Sequence, residues 1–129
     1  MPRFFRILSE GVFDIQDLKF RTYELAELIQ KCSLHYKFDL RKTIAVGFSN
    51  GANIAASILL HGILLLHPDI FQGAILFRVM VPLIPNPLPD LSLKKILLSA
   101  GVNDPIASRT ETEDLYNLLQ KTNANITLK

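Results

Sequence analysis

The sequence is poor in cysteine, in charge of either sign, in long apolar runs and, after residue 104, in histidine. Cys32 stands alone among 129 residues. One cysteine excludes an internal disulfide and fits a reducing compartment, so a cytoplasmic location is expected. Its place on the apolar stripe of an expected helix reads as a plain core residue. Fourteen Lys and Arg against twelve Asp and Glu leave a net charge of +2, with both signs mixed along the chain. That balance gives no basis for a nucleic-acid partner or for an anionic membrane, and Arg3 and Arg6 are too few to make a patch. The longest apolar stretch, Ala52 to Leu66, is interrupted by Asn53, Ser57 and His61. It falls short of the roughly 20 residues a spanning helix needs, so a buried core helix and no membrane insertion are expected. The opening Pro2, Arg3 and Arg6 lead into an acidic stretch, not the apolar run of a signal peptide.

What is present suits a globular domain. Hydrophobic residues make up 49% of the chain, enough for a core, and neither repeats nor linkers divide it, so 1–129 reads as a single domain. Residues 1–13 show no clear period and read as a loop. Asp14 looks like an N-cap, and Leu18, Leu25, Leu28, Ile29 and Cys32 recur at helical spacing over about 15–36, with His35 a solvated residue at the end. Residues 43–47 (Thr-Ile-Ala-Val-Gly) have the length and apolarity of a buried parallel strand. A helix rich in small residues follows, running to about Leu66 and stopped by His67-Pro68-Asp69. Residues 73–78 and 95–100 read as two more strands. Between them, prolines at 82, 85, 87 and 89 demand an extended connection. Ser108 and Glu111 match a capping box ahead of a helix carried by Leu115, Leu118 and Leu119, and Ile126 begins a last strand. Strands alternating with helices imply parallel β-α-β units. Three strands and a stub make that sheet look incomplete.

The chemistry gathers where the first of these strands ends. Gly47-Phe48-Ser49-Asn50-Gly51 is a G-x-S-x-G pattern, in which the serine sits on a sharp strand-to-helix turn and the flanking glycines make room for it. Ser49 is the candidate nucleophile, and the backbone N–H of Asn50, at the helix start, the candidate oxyanion donor. The competing reading is a serine in an ordinary βα turn. Asp104, just past a strand on the same sheet edge, suits the acid that orients a histidine. The competing reading there is a turn aspartate before Pro105. The histidine itself is missing: 25 residues follow Asp104 and none is histidine. His61 and His67 lie on or past the helix behind the nucleophile, which runs away from the active edge. No glycine-rich segment that could supply a second oxyanion donor precedes Ser49. Met80, Val81 and Ile106 are the candidate lining of an acyl pocket.

These stretches resemble the phospholipase/carboxylesterase branch of the α/β-hydrolases, near the dienelactone-hydrolase-like bacterial esterases. The matching pieces are Pro2-Arg3-Phe4-Phe5-Arg6, Glu10-Gly11-Val12-Phe13-Asp14, Gly47 to Asn53, Ile75-Leu76-Phe77-Arg78 with Met80-Val81-Pro82, and Ala100 to Pro105, in family order across essentially the whole chain. The resemblance implies a partial α/β-hydrolase fold, a parallel sheet with flanking helices. It implies Ser49 as nucleophile, Asp104 as triad acid, and carboxylic ester or thioester substrates handled without metal or organic cofactor. It also implies earlier strands carrying the oxyanion loop and a later Gly-His segment, both lacking here. The chain is therefore expected to be truncated at both ends and to turn over weakly or not at all. A different class of reading is an inactive remnant that binds or oligomerises through an open sheet edge.

Overall fold

A computed structural model describes residues 3–9, 12–61, 70–101 and 108–129. Four parallel strands, β3 (Ile44–Phe48), β4 (Gly73–Phe77), β5 (Lys95–Ser99) and β6 (Asn125–Leu128), lie side by side in chain order. Three helices join and cover them: α1 (Ile15–Tyr36), α2 (Asn50–His61) and α3 (Arg109–Gln120). Ahead of these, β1 (Ile7–Ser9) and β2 (Val12–Phe13) form a small antiparallel ribbon, where the sequence had read as a loop. Its two- and three-residue strands are too short to carry an alternation pattern. The ribbon is fixed instead by Phe5, buried and edge-to-face with Phe13 at 5.1 Å, against Leu18 and Ile54.

The caps fall where the sequence places them. The Asp14 carboxylate accepts the Asp17 N–H, and Ser108 and Glu111 close a reciprocal capping box. The face of α1 differs from expectation. Its buried positions are Leu18, Thr22, Ala26 and Ser33, whereas Leu28 is exposed and Cys32 only half-buried. The helix packs on another helix, α2, through small residues. A narrow i, i+4 stripe suffices for that contact. Thr22 Oγ1 donates to the Leu18 carbonyl and lies 2.9 Å from Ser57 Oγ, so the seam holds a satisfied hydroxyl pair.

Parallel register puts Ala45, Ala74, Leu76, Ile96, Leu98, Ile126 and Leu128 on one face of the sheet. That face meets α2 and α3 in the main core with Ile58, Leu115 and Leu119. The other face carries Ile44, Val46, Phe48 and Phe77, all exposed. The strand expected to be buried is therefore half open: among the described elements β3 pairs with β4 alone and has helices over one face. The proline-bearing connection between β4 and β5 contains no helix or strand. Among the described residues no helix is long and apolar enough to cross a membrane.

Candidate functional site

Ser49 is the single residue between β3 and α2. Its N–H donates to the Phe77 carbonyl at 2.9 Å, continuing the ladder toward β4, and its own carbonyl accepts the Asn53 N–H at 2.9 Å, the first bond of α2. One residue thus ends the strand and starts the helix. The turn forces Ser49 to φ 54°, a left-handed conformation that is uncommon for a residue with a Cβ. Helix α2 then passes so close over β3 that a Cβ on Gly47 would lie 2.7 Å from the Ala52 backbone, which only glycine avoids. Ser49 is half-buried, at the positive end of the α2 dipole.

Asn50 opens α2 and its side chain reaches back to the N-terminal segment. Its Oδ1 accepts the Phe4 N–H at 2.7 Å across 46 positions of sequence, while its buried Nδ2 finds no partner among the described residues. The Phe4 ring also lies against Gly51, 3.2 Å from where a Cβ would stand. Further back, Arg6 N–H donates to Asp17 at 2.6 Å, and the Arg6 side chain pairs with Asp14. The Asp14 carboxyl is held below its usual range, first by the Asp17 amide and then by Arg6. These bonds tie the Phe4–Arg6 segment to the starts of both α1 and α2.

A second left-handed residue sits next door. Phe48 and Phe77 are register partners at the ends of β3 and β4, and the residues that follow them, Ser49 and Arg78, both have φ 54°. The backbone around Arg78 is held from three sides. Arg78 N–H donates to Ser99 O at 3.2 Å, the Val79 carbonyl accepts from Thr112 Oγ1 at 2.7 Å, and Met80 N–H donates to Asn53 Oδ1 at 2.8 Å. The Arg78 guanidinium carbon lies 5.4 Å from the centre of the Phe48 ring. Asn53 and Arg78 stand within stretches that resemble the family, but neither they nor Thr112 has a role legible in the sequence. Only a left-handed backbone and bonds between distant elements single them out, and neither has a sequence signature.

Of the other candidates, Met80 is buried and Val81 half-buried. They line a groove with Val12, Phe13 and Glu111. Asp104, Ile106 and His67 lie outside the described residues. His61 is buried with Nδ1 2.9 Å from the Ser57 carbonyl. Burial foremost, with the nearby Lys19 charge, holds its pKa below the ordinary value. It is fixed within the helix layer. Among the described residues no group of three His, Cys, Asp or Glu could hold a metal ion.

Known proteins share this fold. Over 97% of its length the chain is 45% identical to MhqD of Bacillus subtilis, a protein named as a hydrolase. It superposes on the Bacillus cereus carboxylesterase over its full length, with 47% identity and a TM-score of 0.92. The chain has part of the α/β-hydrolase fold. A Mesorhizobium loti carboxylesterase, 25% identical with a TM-score of 0.84 over 98% of the chain, carries the same α/β-hydrolase architecture. No family model matches the chain. The chain spans 60% of the MhqD length, 58% of the B. cereus enzyme and 57% of the M. loti one. The four-stranded sheet is accordingly part of an α/β-hydrolase sheet.

Proposed function

We propose that the protein is a carboxylic ester hydrolase in which Ser49 is the nucleophile. The carrying observation is the turn at Ser49, where one residue at φ 54° both ends a parallel strand and begins a helix, against a strand contact that admits only glycine. Strain of that kind persists where the surrounding structure imposes it, and it turns the side chain out from the sheet edge. In this reading a histidine from outside this sequence takes the Ser49 proton as Oγ attacks the ester carbonyl. The Asn50 N–H, at the helix start, holds the oxyanion, and Asp104 orients the histidine. The alcohol leaves with the proton from the imidazolium, and water then cleaves the acyl-enzyme. Met80, Val81 and Ile106 are assigned to the acyl side, and the scheme needs no metal or organic cofactor. The identities of 45% and 47% to proteins named hydrolase and carboxylesterase support the same class. The substrate in this reading is a small-molecule ester, and the single cysteine fits a reducing, cytoplasmic location.

The test is hydrolysis of a short-chain activated ester by the chain alone and by the chain completed with the flanking segments of its 45%-identical relative. The completed protein is expected to turn over and to lose at least about 10³-fold on Ser49→Ala. The chain alone is expected to show weak or no turnover. Turnover in the completed protein that survives Ser49→Ala would remove the assignment.

A second reading rests on the β3 edge and on exposed Ile44, Val46 and Phe48: a non-catalytic module that pairs with another copy of itself. Light scattering decides it. A concentration-independent monomer counts against it, and a dimer broken by Val46→Lys counts for it.

A further inference from the structure

We propose that Asn53 is a positioning residue that sets acyl-chain selection by holding Met80 at a fixed place relative to Ser49; this rests on Ser49 being the reacting group and Met80 lying on the acyl side. The backbone beyond β4 leaves the sheet after the Arg78 N–H, which still donates to Ser99 O at 3.2 Å. Val79 and Met80 follow, both buried. A buried peptide group that has left the ladder must be paired elsewhere or it costs free energy. Side chains from two helices supply the partners. Asn53 Oδ1, on α2, accepts the Met80 N–H at 2.8 Å, and Thr112 Oγ1, on α3, donates to the Val79 carbonyl at 2.7 Å. Both side chains are themselves buried. Asn53 is flanked in α2 by Ala52, Ile54, Ala55 and Ala56, where an amide is unfavourable unless it is bonded, and Met80 provides the bond. A second bond separates Asn53 from Thr112. The Asn53 N–H donates to Ser49 O at 2.9 Å. One residue thus holds both the residue that carries the nucleophile and the residue that lines the groove with Val81, Val12 and Phe13. The spacing between Ser49 and that groove wall is set by a helical turn and a buried hydrogen bond, which is a stiffer link than a loop. Without the amide acceptor the wall loosens, and a loosened wall discriminates differently between acyl chains of different length.

The experiment compares kcat/KM of the completed protein for p-nitrophenyl acetate and p-nitrophenyl hexanoate. Their ratio cancels whatever acts on both esters alike, such as a smaller folded fraction. Asn53→Ala should move the ratio by at least about fivefold, and Asn53→Asp, which keeps an acceptor in the same place, should restore it. Ile96→Ala, a core truncation near the start of β5, should leave the ratio unchanged. A ratio that stays put in Asn53→Ala, or that Ile96→Ala moves as far, overturns the proposal. Should Asn53→Ala fail to fold, Thr112→Val frees the Val79 carbonyl of the same segment and carries the same prediction. Hydrogen exchange in the chain alone gives a reading that needs no turnover. The Met80 amide should exchange about tenfold faster in Asn53→Ala and return to its slow rate in Asn53→Asp. Unchanged exchange overturns the proposal even where Ser49 is active. Exchange that responds as expected, beside turnover that is absent or survives Ser49→Ala, defeats the Ser49 reading and the acyl role with it.

Discussion

The two faces of the parallel sheet are built from similar residues and have opposite fates. On one, Leu76 and Leu98 are wholly buried under α2 and α3; on the other, Val46 and Phe48, one register step away, are 69% and 61% exposed. Residue type does not separate them. Both faces are apolar because a parallel sheet is normally covered twice, and only one cover is present among the described residues. The stability of this chain should therefore reside on the helix-bearing face, while the open face carries apolar residues that contribute little to it.

The sharpest way to break that comparison is a matched pair of substitutions. Leu76→Ala should cost about 2–5 kcal/mol in urea denaturation. Val46→Ser, on the open face, should stay within about 0.5 kcal/mol. Similar losses at both would mean that something covers the open face in solution. Next in size, Gly47→Ala should cost about 1–3 kcal/mol, because its Cβ meets the Ala52 backbone and not a side chain that can move aside. A neutral result would show that α2 can lift from β3.

At the sheet edge between the faces the effects are smaller. Asn50→Ala should release the Phe4 amide and cost about 1 kcal/mol, read as faster hydrogen exchange at Phe4. Ser49→Gly should go the other way and stabilise by about 1 kcal/mol, by relieving the left-handed strain. A fall in thermal midpoint for Ser49→Gly would contradict the strain. The mildest test concerns the helix layer. His61 has a depressed folded pKa, so in acid the unfolded chain takes up its proton first. The contribution is complete above the unfolded value of about 6.5 and falls as pH drops toward the folded pKa. Stability should therefore decline across that window, and His61→Asn should flatten the decline. An unchanged slope would place the titration elsewhere.

Much of the fold was legible because its signals are local. The start of α1 at Asp14, the Ser108–Glu111 box and the turn at Ser49 each depend on residues within a few positions of one another. The β1–β2 ribbon was missed because two-residue strands have no period, and Phe5 is fixed by Phe13, Leu18 and Ile54. Leu28 was assigned to the core of α1 because an apolar residue at helical spacing looks the same whether or not a partner faces it. The partner here, α2, has small residues and meets the stripe through Leu18, Thr22 and Ala26, with Leu25 and Ile29 partly buried against the same core and Leu28 left outside it.

By itself the sequence determined the order of the parallel strands and the helices, the caps at Asp14 and Ser108 and the junction on which Ser49 stands, since backbone preference and hydrogen bonding over a few residues decide these. Only the tertiary structure decided that β3 has an open face, that Asn50 holds Phe4 across 46 positions, and that Arg78 shares the edge and the φ of Ser49. Those facts depend on which chain segments meet in space, and apolar run, turn or motif alone carries no record of that meeting.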